Sequence, residues 1–376
     1  MKVCFVCLDN LMKLPYLYKY TDLMNCKYDI IYWNRMLLEE QCGAEKYYPL
    51  NYSTPPHSVK AKKMYGYLKF KRYATKILRE NNYSLVILLN STVAVLLNQV
   101  LLKKYEGKYV IDIRDYSYEH IRYFYSFEDK LIHNANSCVI SSPGYREFLP
   151  QNDYYLVHNF PKITEEKLIR YQKKRAKYNE ERRKKNNMPI NLTYVGDVRF
   201  VEQDKKVLRY FGNDDRFCIR YIGLGTEVLE AFCKEEKIEN TFFHGMFKPN
   251  DIFDYYVEAD AVLNLYGNNT PLLDYALSNK LYFAALLSIP ILVCPGTYME
   301  KISKQYGFGY TIDSYTDVNV KDNFVKFYIN LDREKFGKNC DFFIERVRRD
   351  EERFNFHFCN LFKELEKINS HGGYSE

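Results

Sequence analysis

The residues best suited to chemistry stand where apolar runs end. Gly196, Gly223, Gly225 and Gly245 each close such a run in the second half of the chain. A glycine there lets a ligand approach the backbone closely, and several in register make a nucleotide site plausible. Further on, Ser278, Asn279 and Lys280 precede an apolar helical pattern and then an apolar stretch beginning near Pro290. Ser278 is suited to cap a helix whose first turn carries Asn279 and Lys280. A diphosphate at that helix start would meet backbone N–H groups, the positive end of the helix dipole and a lysine ammonium together. In the first half, Asp9 and Asn10 follow the first apolar run, and Arg114 and Asp115 follow residues 109–113. Carboxylates so placed could hydrogen-bond a hydroxyl, or be solvated loop charges. Neither G-x-G-x-x-G nor G-x-x-x-x-G-K-[ST] joins a strand to a helix, which argues against a dinucleotide oxidoreductase or a P-loop nucleotidase. No D-x-D signature stands at a strand end, so neither a metal nor another cofactor is expected.

For these groups to meet a ligand, the apolar runs must be strands with helices between them. Residues 3–8, 28–33, 84–89, 109–113 and 138–142 alternate with helix candidates near 16–23, 93–105 and 119–132, and 154–161 closes this half. The alternation restarts with 191–196, 217–223, 241–245, 261–266, 291–294 and 310–312. Runs that are apolar throughout and separated by helices imply parallel sheets covered on both faces. At 376 residues, two cores are the default. The expected architecture is therefore α/β, with a Rossmann-like domain over 1–160, a charged connection over 161–189, and a second Rossmann-like domain over 190–340. A helix and tail follow over 341–376. Phe354, Phe358, Leu361, Phe362, Leu365 and Ile368 share one helical face, suited to packing back across the junction.

Composition narrows the classes further. A hydrophobic share of 47%, with 37 Tyr and 25 Phe, excludes a mainly disordered chain. The opening apolar run is too short for a secretory signal, and residues 85–102 carry too many amides and hydroxyls to span a membrane. A soluble, cytoplasmic protein is expected. The ten cysteines are scattered, and Cys4 and Cys7 point to opposite faces of one strand, so neither a disulfide framework nor a metal pair is expected. The formal net charge of +7 concentrates in 165–187, with ten Lys/Arg against four Glu. The remainder reads as near neutral, so nucleic-acid binding is not expected. That basic stretch is either a solvated connection or a contact with an anionic membrane surface.

With these motifs in order, the sequence resembles glycosyltransferase family four, of the bacterial capsule and exopolysaccharide type. Asn279-Lys280-Leu281-Tyr282, with Pro290 before a strand, resembles that family's donor-site helix. Residues 194–199, 243–245, 259–262 and 157–159 resemble further landmarks in the right order. The resemblance implies a GT-B fold of two Rossmann-like domains facing a cleft, the donor on the C-terminal domain and the acceptor on the N-terminal one. It implies that Arg199 and Lys280 neutralise the donor diphosphate. Gly196 and Gly223 would lie beside it, and the His244-Gly245-Met246-Phe247 turn would hold the base. Tyr266, Asn268, Asn269, Asp274 and Asn279 would lie near the donor. Asp115 or Asp9 would bind the acceptor hydroxyl, with Asn10, Arg114, His158 and Asn159 on the acceptor side.

The partners so implied are a nucleotide-sugar donor, uridine favoured, and a glycan or lipid-linked acceptor. Transfer would retain anomeric configuration without a covalent intermediate, and domain closure would exclude water. Two positions depart from the family pattern: Tyr275 and Phe283 stand where it carries Glu. Phe283 cannot accept a hydrogen bond from ribose, and Tyr275 offers no carboxylate to the sugar. The rival readings are a non-catalytic scaffold that kept the fold and a sugar-nucleotide epimerase, which would need clustered carboxylates and histidines.

Overall fold

A computed structural model describes residues 1–55, 58–185 and 188–371, with side chains to 368. The chain divides into two compact units, Met1–His158 with Arg349–Glu376, and Asn159–Arg348. Strands β1 (Val3–Cys7), β2 (Tyr28–Asn34), β3 (Lys46–Asn51), β4 (Leu85–Leu88), β5 (Tyr109–Ile113), β6 (Ser137–Ile140) and β7 (Tyr154–Leu156) form the sheet of the first unit. Their order is β3-β2-β1-β4-β5-β6-β7, and every pair is parallel. The second unit carries β8 (Ile190–Val195), β9 (Phe217–Ile222), β10 (Thr241–His244), β11 (Ala261–Asn264), β12 (Ile291–Val293) and β13 (Gly309–Thr311). They lie in the order β10-β9-β8-β11-β12-β13, again all parallel.

This is the two-sheet Rossmann-like architecture of the GT-B fold. The central strands are buried on both faces, as their unbroken Val/Ile/Leu/Phe content requires: all five residues of β1 and all four of β4 are buried. Strand β3 escaped the sequence reading because it is an edge strand, half-exposed and interrupted by Pro49. In each sheet the strand order reverses once, between β1 and β4 and between β8 and β11. Those reversals are the places where parallel α/β sheets open a crevice for ligands.

The C-terminal helix starts earlier than expected and runs over Arg333–His371. Phe336, Cys340, Phe343, Ile344 and Val347 belong to the core of the second unit, whereas Phe354, Phe358, Leu361 and Phe362 belong to that of the first. Residues 372–376 lie outside the described residues.

The basic stretch expected as a connection is instead a helix, Glu165–Lys184, capped by Thr164. Leu168, Tyr171 and Arg175 are buried against the second unit. Arg175 donates to the Val257 carbonyl at 2.9 Å, Lys174 pairs with Asp254 at 2.6 Å, and Arg182 pairs with fully buried Asp260 at 2.5 Å. Three of the stretch's ten cations are thus engaged inside its own unit; residues 186 and 187 of the basic stretch lie outside the described ones. Among the described residues no helix is long and apolar enough to cross a membrane.

Candidate functional site

The ends of β8, β9, β10 and β11 bring together most of the donor-side residues named from sequence. Gly196 (φ +132°) and Gly223 (φ +142°) follow β8 and β9. A Cβ on Gly223 would lie 2.1 Å from the Gly196 carbonyl oxygen, and one on Gly196 would lie 3.2 Å from the Lys280 ammonium. Gly223 therefore needs glycine for space as well as conformation, and Gly196 for its conformation.

The helix Asn279–Leu286 enters directly above them, with the Ser278 hydroxyl accepting from the Lys280 N–H. The Lys280 side chain turns inward, against the exposed placement of an ordinary first-turn lysine. It is 4% exposed. Its ammonium donates to the Val195 carbonyl at 2.5 Å and stands 4.0 Å from the centre of the Tyr194 ring and 5.3 Å from that of Tyr266. Tyr194 in turn stacks on Tyr221 at 5.0 Å. Electron-rich ring faces are a favourable setting for a desolvated cation, so the charge is held at the end of β8 and cannot swing away.

Below it lies a buried carboxyl that sequence reasoning missed. Asp204, on the helix Val201–Phe211, is 2% exposed and accepts from the Tyr221 hydroxyl at 3.1 Å. Burial pushes its carboxyl up to about 7, while the Tyr221 hydrogen bond and the positive field of Lys280 hold it down. The signal available in sequence was an aspartate on the apolar stripe of an otherwise amphipathic helix.

The other donor-side residues are spread around this centre. Arg199 is exposed, its nearest acid being Asp197 at 3.9 Å. His244 ends β10 and meets the Tyr255 hydroxyl at 2.8 Å, and Phe247 packs on the same tyrosine. Gly245 has open space around it. Asn268 donates to the Pro295 carbonyl; Asn269 takes a left-handed conformation (φ +64°) and its N–H donates to Asp274. Asp274 thus fixes the loop after β11, and Asn279 stays exposed at the helix start. Phe283 is buried, stacked on Tyr256 at 4.8 Å and edge-on to Phe253.

In the first unit, the named residues divide into those that reach the surface and those that are buried in the scaffold. Asp115 is exposed after β5. Asp9, partly exposed after β1, lies 3.2 Å from Lys13 and 3.8 Å from Arg35. Asn10 is fully buried: its amide donates to Asn34 and Glu40 and accepts from the Arg35 and Met36 N–H groups. Arg114 is buried against Asp112 at 2.9 Å and over the Tyr16 ring. His158 is buried against Asp350 at 3.2 Å, whereas Asn159 opens the second unit and donates to the Leu277 carbonyl of that same unit at 3.5 Å. Sequence reasoning overlooked Asn90, at the strand-order reversal after β4. Its backbone sits at φ +155°, and its side chain caps the next helix, a strained conformation of the kind kept at functional sites. Among the described residues, no group of three or more His, Cys, Asp or Glu side chains is placed to hold a metal ion.

The chain has the GT-B fold, and the strand ends of its second unit present glycine turns beside a buried ammonium. Solved structures similar over nearly the whole chain share that fold. Sucrose-phosphate synthase from Thermosynechococcus elongatus superposes with a TM-score of 0.65 at 12% identity, covering 97% of this chain and 99% of the other. Anabaena HepE, solved in complex with UDP, gives 0.65 at 12% identity over 96% and 100%. The lipopolysaccharide outer core galactosyltransferase WaaB gives 0.58 at 15% identity over 96% and 100%. No family model matches the sequence, and no curated protein matches it.

Proposed function

We propose that this chain is a glycosyltransferase that takes a sugar from a nucleoside-diphosphate sugar, with UDP-sugars favoured. The acceptor is a glycan or lipid-linked glycan of a bacterial surface polysaccharide, reached in the cytoplasm. The observation that carries this reading is the Lys280 ammonium, buried under the Gly196 turn between two tyrosine faces. A desolvated cation at the reversal of a parallel sheet, beside a capped helix start, suits the diphosphate of a nucleotide. HepE, solved with UDP and with UDP-glucose, shares the fold and supports the uridine preference.

In the reaction, the bond between the sugar's anomeric carbon and the diphosphate oxygen breaks, a bond to the acceptor oxygen forms, and the acceptor hydroxyl's proton passes to the departing diphosphate. Lys280, the helix start and Arg199 stabilise the charge developing on the departing nucleoside diphosphate. Asp115 or Asp9 orients the acceptor hydroxyl, and the anomeric configuration is retained. A second reading, a binding protein without turnover, is favoured by one observation: Phe283 sits in an apolar stack and offers nothing to a ribose.

The test is calorimetric titration with UDP, GDP and CMP, using Lys280→Ala as control. Micromolar binding of one nucleotide, weakened about tenfold to a hundredfold by the substitution, supports the donor site. No binding by any nucleotide moves the weight to the scaffold reading, and binding unaffected by Lys280→Ala removes the assignment of that lysine.

A further inference from the structure

The basicity of the chain is not confined to residues 165–187. The helix Lys60–Glu80 of the first unit carries eight Lys/Arg against a single Glu. Its formal excess equals that of the whole chain, so the near-neutral remainder is an average over one strongly basic helix and acidic surroundings. Phe70, Ala74, Ile77 and Leu78 form its buried face. The opposite face changes character along the axis. Near its start it exposes Met64 (62%), Tyr65 and Leu68 (51%), with Val59 just before it, and Lys60 and Lys62 are exposed alongside. Further along it exposes Arg72, Lys76 and Arg79.

The apolar end is held rigidly. A Cβ on Gly66 would lie 2.2 Å from the Trp33 ring, so the helix presses directly on the end of β2. Tyr67 packs edge-on to Trp33 at 5.3 Å and lies close to Tyr118 in the loop after β5. This end of the helix therefore stands at the carboxyl ends of β2 and β5, the same edge of the sheet as Asp9 and Asp115. Met36, Leu37 and Leu38, in the loop after β2, and Tyr118, Ile121 and Tyr123 after β5 are exposed at that edge too.

We propose that this edge of the first unit, led by Val59, Met64, Tyr65 and Leu68 and ringed by the lysines and arginines of the same helix, docks on an anionic lipid surface. The two features suit one partner. Apolar side chains that water meets on a fixed helix enter the headgroup boundary, and lysines around them meet lipid phosphates. The helix Glu165–Lys184 fits that role less well, because it exposes a single large apolar side chain, Ile169, while Leu168 and Tyr171 face its own unit and Lys174 and Arg182 pair with Asp254 and Asp260. Docking there would present the strand ends that carry Asp9 and Asp115 to acceptors anchored in the same surface.

The experiment is co-sedimentation of the full chain with vesicles of phosphatidylcholine alone and with 30% phosphatidylglycerol, and binding to heparin as a soluble polyanion. The expected result is binding to the anionic vesicles only, weakening as salt rises. K62E/R72E/K76E should lower partitioning about a hundredfold, and M64S/L68S about tenfold. K173E/R183E in the other basic helix should leave it unchanged. Thermal unfolding and nucleotide titration of each variant verify folding and read the donor site separately. Absence of vesicle binding, loss with K173E/R183E in place of K62E/R72E/K76E, or heparin binding without vesicle binding would each overturn the proposal.

Discussion

Replacing Asp204 by asparagine should stabilise the protein near neutral pH and flatten its pH dependence. Burial pushes the carboxyl up to about 7 in the folded protein from an ordinary 3.8. The folded state thus keeps its proton over an interval in which the unfolded chain has already lost it. The stability that this carboxyl contributes is therefore complete below 3.8, falls as pH rises through the interval, and is lost above 7. A gap of about three pH units amounts to roughly 4 kcal/mol at most. Asparagine is neutral throughout and can still accept from the Tyr221 hydroxyl, so the variant escapes this loss.

Urea unfolding of both proteins at pH 5, 6, 7 and 8 reads the difference directly. It should grow with pH and saturate near 8. Glu128, also buried and pushed up to about 8, acts in the same direction but cancels between the two proteins. Lys280 offers a second reading, since its charge favours the ionised form of Asp204. A diphosphate that neutralises Lys280 should make Asp204 take up protons, visible as a buffer-dependent binding enthalpy near pH 7. Parallel stability curves for the two proteins would refute the argument, because they would mean that Asp204 titrates as an ordinary carboxylate.

Gly223→Ala should destabilise the second unit by about 3 kcal/mol or more, since its Cβ would meet the Gly196 carbonyl in a conformation that alanine resists; chemical unfolding measures this. Gly66→Ala should cost roughly 1–3 kcal/mol by forcing the helix off Trp33, again read by unfolding. Arg182→Ala leaves Asp260 buried without its charged partner and should cost about 3–5 kcal/mol, although Asn191 and Tyr328 still donate to that carboxylate. Phe283→Glu should lower the melting temperature without tightening nucleotide binding, because it breaks the stack on Tyr256 and buries a carboxylate among aromatic rings.

The sheets were legible because parallel strands covered on both faces leave largely apolar runs, and twelve of the thirteen strands, including the half-exposed edges β10 and β13, kept enough of one to be read. The thirteenth, β3, is an edge strand whose Pro49 and half-exposed residues erase that signal. Helix ends were less legible. Residues 93–105, one helix in the sequence pattern, form two short helices, Ser91–Leu96 and Asn98–Lys104, with the break at Leu97. The helix Glu165–Lys184 was missed as a packing element because only Leu168, Tyr171 and Arg175 face inward. The burial of an arginine gives no apolar stripe to read.

The candidate site shows the same division between what spacing reveals and what only packing reveals. Glycines after strands and a serine before Asn279-Lys280 are local signals, because a turn's conformation and a cap's hydrogen bond are set within a few residues. The state of Lys280 is not local. It depends on Val195, Tyr194 and Tyr266 from two strand ends, and on Asp204 from a helix, brought together only by the order of the sheet. The same holds in reverse for Asn10, Arg114 and His158. Each carries a functional group at a strand end, and each is engaged by a partner that the sequence places far away or hides: Glu40, the ring of Tyr16, Asp350. Residue type and strand-end position select candidates, but whether a candidate faces a ligand depends on whether the fold has already given its hydrogen bonds another use.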